Sequence, residues 1–276
     1  MSLYMAYAIQ ISPSLCSSPM PRLARISIFP IKSLDGVTVS EAQILSSGAF
    51  KGDREFAIID RAGKFVNGKR NAKVHLLRST FDLDARTVTI WVQGQADRQI
   101  FDLDGDRHAI SDWLSEYFEQ PVKLAQNLEM GFPDDTDSPG PTIISTGTLT
   151  TVASWFVQLS YEEAQRRFRT NLEVDAALPF WEDRLFTSAE SAVMFRVGDV
   201  QMEGINPCQR CVVPTRDPET GEVDDRFQKI FIQKRQATLP EWVERSRFNH
   251  FYRLAVNTRI PTSEAGKLLA LGAEFK

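Results

Sequence analysis

A chain of 276 residues with 42% hydrophobic and 25% charged side chains has an ordinary globular composition, and at that length roughly three quarters of the unfolded surface can be buried. Its formal charge of -4, from 32 Lys and Arg against 36 Asp and Glu, excludes a strongly basic nucleic-acid coat, although a local basic pocket fits within that balance. Cys16, Cys208 and Cys211 are too few for a disulfide scaffold and suit a reducing, cytoplasmic setting, and no apolar run reaches the roughly eighteen residues of a membrane span.

Residues 1–19 hold a short apolar run with no Lys or Arg before it and read as a disordered extension ahead of a start at Met20. From Arg22 to Phe101 come RLARISIFP, VTVSEAQIL, REFAIID, KVHLLRSTFDLD, TVTIWV and RQIFDL. Period-two alternation makes each a half-buried strand. Asp35-Gly36, Gly48, Gly52, Ala62-Gly63 and Asn67-Gly68 supply the turns between them. Closely spaced strands with no long helix among them predict a barrel or sandwich-like sheet. HAISDWLSEYFEQ then places Ile110, Leu114, Tyr117 and Phe118 on one helical face, and Pro121 stops it. MGFPDDTDSPGPT follows, rich in Asp, Pro, Gly and Thr; it reads as a solvated loop and as the boundary between domains 20–132 and 133–276. Beyond it TIIST reads as a buried strand, TLTTVASWFVQLSYEEAQRRF as one or two helices and NLEVD as another strand. SAVMFRVGDVQMEG alternates again, LPEWVERSRF has a helical pattern and HFYRLAVN is a final strand. The fold class is therefore α+β, a β-barrel-like N-terminal domain packed on a mixed domain, with no internal repeat.

The densest chemical signal is Gly204-Ile205-Asn206-Pro207-Cys208-Gln209-Arg210-Cys211-Val212-Val213-Pro214-Thr215, with Asp217-Pro218-Glu219-Thr220-Gly221 close behind. A structural zinc site needs four ligands, and Cys16, His75, His108 and His250 are scattered singly. A thioredoxin-like dithiol wants a helix after the first Cys, and Val-Val-Pro discourages one. Two readings stand: a single activated thiolate, with Arg210 supplying positive potential beside Cys211, or two buried cysteines acting as small hydrophobes. Basic residues recur after strands, in Pro30-Ile31-Lys32-Ser33, Gly52-Asp53-Arg54 and Arg167-Phe168-Arg169-Thr170-Asn171. Lys as a point charge, Arg as a bidentate donor and Ser or Asn as neutral donors suit a phosphorylated ligand if they converge in space. In Ile143-Ile144-Ser145-Thr146-Gly147-Thr148 the hydroxyls cap a helix start, and its N–H groups offer a further anion position that Gly147 would leave open. Glu182 and Asp183 read as surface charges, the histidines suggest no hydrolase triad, and no Walker or GxGxxG pattern is present.

In their order along the chain, Phe29-Pro30-Ile31-Lys32-Ser33, Gly52-Asp53-Arg54, Arg167-Phe168-Arg169-Thr170-Asn171 and Cys208-Gln209-Arg210-Cys211 with Asp217-Pro218-Glu219-Thr220-Gly221 resemble the MOSC family. That family is named for the C-terminal domain of molybdenum cofactor sulfurase, here preceded by its N-terminal β-barrel domain. The likeness runs from about Met20 to the C-terminus and is nearest to bacterial relatives of the mitochondrial amidoxime reducing component. It implies that Cys211 is the thiolate ligand of molybdenum carried by molybdopterin. It further implies that Lys32, Ser33, Arg54 and Arg169 hold the pterin and its phosphate, helped by Asn171, Ser145 and Thr146. The implied reaction is reduction of small N-hydroxylated compounds. With only three cysteines and an end at Lys276, electrons are expected from a separate ferredoxin or reductase. Two other classes remain open: a sulfur or molybdenum-cofactor carrier using Cys211 without turnover, and a binding module whose cysteines are structural.

Overall fold

The structure, a computed structural model, describes residues 20–276; the expected extension over residues 1–19, and with it Cys16, lies outside the described residues. Strand β1 (Arg22–Ile28) buries Leu23, Ile26 and Ile28 and is followed by the short β2 (Val37–Val39) and β3 (Glu41–Gln43), so the run VTVSEAQIL breaks at Ser40. β4 (Phe56–Asp60), β5 (Leu77–Asp82), β6 (Thr87–Val92) and β7 (Arg98–Asp102) complete the first series. Lys73 to Leu76 depart from the strand reading: Asn71 caps Lys73 N–H and starts a 3-10 turn there. Helix α1 (Arg107–Phe118) buries Ile110, Leu114 and Phe118 at the expected spacing, and left-handed Glu119 ends it. After β8 (Val122–Gln126) come β9 (Ile143–Ser145), α2 (Thr146–Ala153), α3 (Tyr161–Phe168) and β10 (Leu172–Asp175). The hairpin β11 (Val193–Val197) and β12 (Val200–Gln209), helix α4 (Phe227–Ala237), β13 (Arg253–Arg259) and β14 (Leu268–Ala270) finish the chain. No helix among the described residues is long and apolar enough to cross a membrane.

A seven-stranded mixed sheet in the order β11-β12-β13-β9-β10-β1-β2 forms the spine. β1 therefore lies between β2 and β10, paired antiparallel with both, while β10 runs parallel to β9. Strands from both ends of the chain interlock in one sheet. β4 pairs with β8, β3 with β14, and β5-β6-β7 form a meander. The named strands of the N-terminal series do not close on one another; instead the C-terminal residues bridge β1 and β11, Glu274 to Arg22 and Phe275 to Val197. Alternation identifies a strand and its buried face, but the partner is chosen by tertiary packing, and β1 and β2 leave the first series for the large sheet.

The helix read in LPEWVERSRF is absent; Arg245–Arg247 make only a 3-10 turn, and Val243 and Phe248 are buried from irregular backbone. The helix lies earlier, in α4, where Phe227 and Phe231 at i and i+4 pack on Phe156, Phe168 and Trp155. Pro240 breaks the later pattern. Glu182 and Asp183 are also corrected, from surface charges to buried ones, 0% and 2% exposed. Glu182 accepts from the Ser145 and Thr148 hydroxyls at 2.7 and 2.9 Å. Asp183 pairs with Arg235, whose guanidinium sits 3.9 Å from the Phe180 ring.

Candidate functional site

A cleft of about 1070 Å³ opens where the end of β1, the turn before β4, the end of α3, the end of β12 and the loop 133–140 converge. Phe29, Lys32, Ser33, Arg54, Arg169, Asn171, Cys208 and Cys211 all line it, and Lys and Arg outnumber carboxylates in its wall. A chain that is acidic overall thus concentrates its cations at one place, where they focus the field on an anionic ligand.

The backbone at these positions is unusual. Ser33, Arg54 and Arg169 adopt left-handed conformations, with φ of 76°, 50° and 50°. Each costs on the order of 1 kcal/mol for a residue with a Cβ, so the surrounding bonds must hold it. At Arg54 they are visible: its N–H donates to Phe29 O at 2.7 Å, Phe132 N–H donates to its carbonyl at 2.8 Å, and Asp53 accepts from Phe29 N–H at 2.8 Å. Arg169 is the residue at which α3 terminates, its N–H still bonded to Gln165 O. Both guanidiniums lie over one ring, Phe29, at 5.2 and 4.3 Å from its centroid.

Their charges are balanced differently. Burial works against the charge of Arg54, but Asp53 and Asp134 outweigh it and hold its pKa above the usual value. Asn171 adds a weak acceptor to Arg54 at 3.4 Å. Arg169 has no ion-pair or hydrogen-bond partner for its guanidinium among the described residues, and burial, then repulsion from Arg54, push it down to about 10. Lys32 is buried; its ammonium donates to Phe132 O and Asp134, each at 2.8 Å, and burial lowers its pKa despite that carboxylate. The Ser33 hydroxyl has no hydrogen-bond partner among the described residues. Asn171 spends its own groups inward, donating to Ser27 O at 3.1 Å and accepting from Thr142; it orients Arg54 from behind.

Ser145 and Thr146 are not brought to the cleft. Ser145 is fully buried, caps Thr148 N–H and donates to Glu182, while the Thr146 hydroxyl donates to Ala176 O at 3.3 Å. The space beside Gly147 is filled by backbone, since a Cβ there would meet Ala177 O at 2.3 Å. Capping has consumed the Ser145 hydroxyl and the Ala176 carbonyl that of Thr146.

The two thiols diverge. Cys208 lies in β12, buried, and donates to Asn257 Oδ1 at 2.6 Å. Burial, with Asp135 and Asp134 adding to it against the pull of Arg210, pushes its thiol up to about 11. Cys211 stands two residues past the end of that strand, half-buried and facing the cleft. Arg210 turns from its neighbour to donate to Leu254 O and Phe168 O at 3.0 and 3.1 Å, clamping the end of β12 to β13 and α3. Its Nη2 is buried without a partner among the described residues. Among the described residues no three His, Cys, Asp or Glu side chains gather as metal ligands.

Sequence reasoning missed other members of the wall. Arg78, in β5, donates to Asp35 and to Pro218 O at 2.8 and 3.0 Å. The Asp217–Gly221 turn packs on His75, whose ring meets Gly68 O at 3.2 Å and whose pKa burial lowers. Asp134 and Asp135 come from the loop read as solvated. The one available signal was the adjacency of two acids in a segment joining two basic motifs.

Residues 20–112 match the MOSC N-terminal beta barrel domain and residues 143–260 the MOSC domain. The chain is 23% identical over 236 residues to human mitochondrial amidoxime-reducing component 1, an overlap of 72% of this chain and 67% of that protein. It is 25% identical over 244 residues to mitochondrial amidoxime reducing component 2 of Bos taurus, covering 73% of this chain and 68% of the relative. Over 230 residues it is 25% identical to the molybdenum cofactor sulfurase of Drosophila willistoni, 73% of this chain but 28% of that longer protein.

Proposed function

The chain belongs to the MOSC family, and from that premise we propose that its cleft binds a molybdenum cofactor and serves the reduction of N-hydroxylated compounds, with electrons from a separate donor protein such as a ferredoxin or a reductase, in the cytoplasm. The observation that carries the reading is the pairing, in one cleft, of the accessible Cys211 thiol with the unpartnered Arg169 guanidinium. A pterin cofactor, when bound, supplies two-electron chemistry at a metal with an open position. The chain supplies the rest. Cys211 is the soft thiolate ligand. Lys32, Ser33, Arg54 and Arg169 take the phosphate as charge-assisted donors, and Asn171 keeps Arg54 aimed. Cys208 stays protonated at neutral pH, its hydrogen committed to Asn257, and does not compete for the metal. In the overall reaction two electrons and two protons cleave an N–O bond, leaving an N–H bond and water.

The test is purification from a host that makes molybdopterin, followed by metal analysis and assay of an N-hydroxylated substrate. Stoichiometric molybdenum with turnover is expected, and Cys211→Ser should retain the fold while losing both. Turnover by that variant would overturn the assignment of Cys211. The names of the sulfurase relatives favour a second reading, in which Cys211 carries sulfur as a persulfide or hands on the cofactor. Labile sulfane sulfur without molybdenum or turnover would select it.

A further inference from the structure

The acidic loop does not hang in solvent. Phe132 is tied to Arg54 through its N–H and to Lys32 through its carbonyl, Asp135 accepts from Asn257 Nδ2 at 3.4 Å, and the Asp137 carbonyl accepts from Arg259. Gly131, at φ 66°, passes so close to Asp53 that a Cβ would meet its carbonyl at 2.5 Å. Between these ties Asp134 reaches into the cation cradle, with its carboxylate 2.8 Å from Lys32 Nζ and 3.8 Å from Lys69 Nζ.

That ion pair is lopsided. The Lys32 side chain is 9% exposed and that of Asp134 66% exposed. An ammonium held in the wall cannot rehydrate, whereas the carboxylate can swing into water at little desolvation cost. Lys32 therefore always needs an anion, and the anion is exchangeable. We propose that Asp134 is a specificity-determining residue of the anion subsite: its carboxylate competes for Lys32, so that a ligand must present a dianionic group, a phosphate, to displace it. A ligand carboxylate replaces one single charge by another and must overcome the high effective concentration of a tethered group. A phosphate brings a second charge and further oxygens, which Arg54 and Arg169 are placed to take. The inference rests on reading the cleft as a phosphate site.

Calorimetric titration of the full chain with inorganic phosphate, and separately with acetate, tests it. Asp134→Asn and Asp134→Ala should each bind phosphate on the order of tenfold more tightly than the parent, and both should gain measurable acetate binding. Asp135→Asn, whose carboxylate faces Asn257, should stay within about twofold on the same argument. Lys32→Met should abolish phosphate binding in either background, with thermal melts showing that each variant is folded. Lys32-dependent phosphate binding that neither Asp134 variant tightens would overturn the role of Asp134 alone. Absence of Lys32-dependent binding in every protein would overturn it together with the phosphate-site reading.

Discussion

Two charged clusters, both drawn from residues conspicuous in the sequence, end in opposite conditions. Beside the large sheet, Asp183 meets Arg235 and one oxygen of Glu182 meets Ser145 and Thr148, while Glu182 Oε1 and Arg235 Nη1 stay buried without a partner among the described residues. In the cleft, Arg169 shares the Phe29 ring with Arg54, and no acceptor among the described residues meets it. The open atoms of the first cluster are sealed in the interior, whereas the open guanidinium of Arg169 lines the cleft, where an arriving anion can complete it. Residue type alone does not distinguish the two. Whether the open group faces the interior or the cleft does.

The sharpest way to break the comparison is to remove one partner from each cluster. Arg235→Leu leaves Asp183 buried without its cation and should cost about 3–5 kcal/mol in denaturant unfolding. A smaller loss would mean that Asp183 finds water. The next effect is a pH dependence from Glu182. Burial, and then the charge of Asp183, push this carboxyl up to about 7 from an ordinary 4.5. Since the unfolded state releases that proton first, the stability present below the unfolded pKa is lost as pH rises toward the folded value, by on the order of 3 kcal/mol. Melting temperature should therefore fall from about pH 4.5 to about pH 7 in the parent and be flatter in Glu182→Gln; parallel curves would refute the shift. The smallest stability effect belongs to the cleft. Arg169→Met should change unfolding free energy by less than ~1 kcal/mol, since it also relieves repulsion with Arg54, yet phosphate affinity should fall by roughly tenfold or more. A large destabilisation would move Arg169 into the class of Arg235.

Most of the cleft was legible in the chain because its motifs are local. Lys32-Ser33 follows β1, Arg54 lies in the turn before β4 and Arg169-Asn171 follows the end of α3, and each lines the site. Ser145 was legible as a cap; what the sequence hides is that Glu182, distant in the chain, takes its hydroxyl hydrogen and that the Ala176 carbonyl takes that of Thr146. The carbonyls that take two of the Arg210 donors, those of Leu254 and Phe168, are likewise distant in the chain and invisible in it. Asp134 was invisible because composition reports how a loop feels in water, not which ammonium it finds. The strands were readable from alternation, whereas the membership of the large sheet and the place of α4 depended on partners that alternation does not name.

The position of β1 between β2 and β10 bears on how the protein is made. A nascent chain that has emerged as far as the acidic loop already carries β1 but not β10, so a hydrogen-bonding edge rich in Leu and Ile waits unsheltered during synthesis. Proteolytic nicking between the exposed Thr136 and Asp137 should accordingly yield two fragments that co-elute, because the first has donated its opening strand to the second.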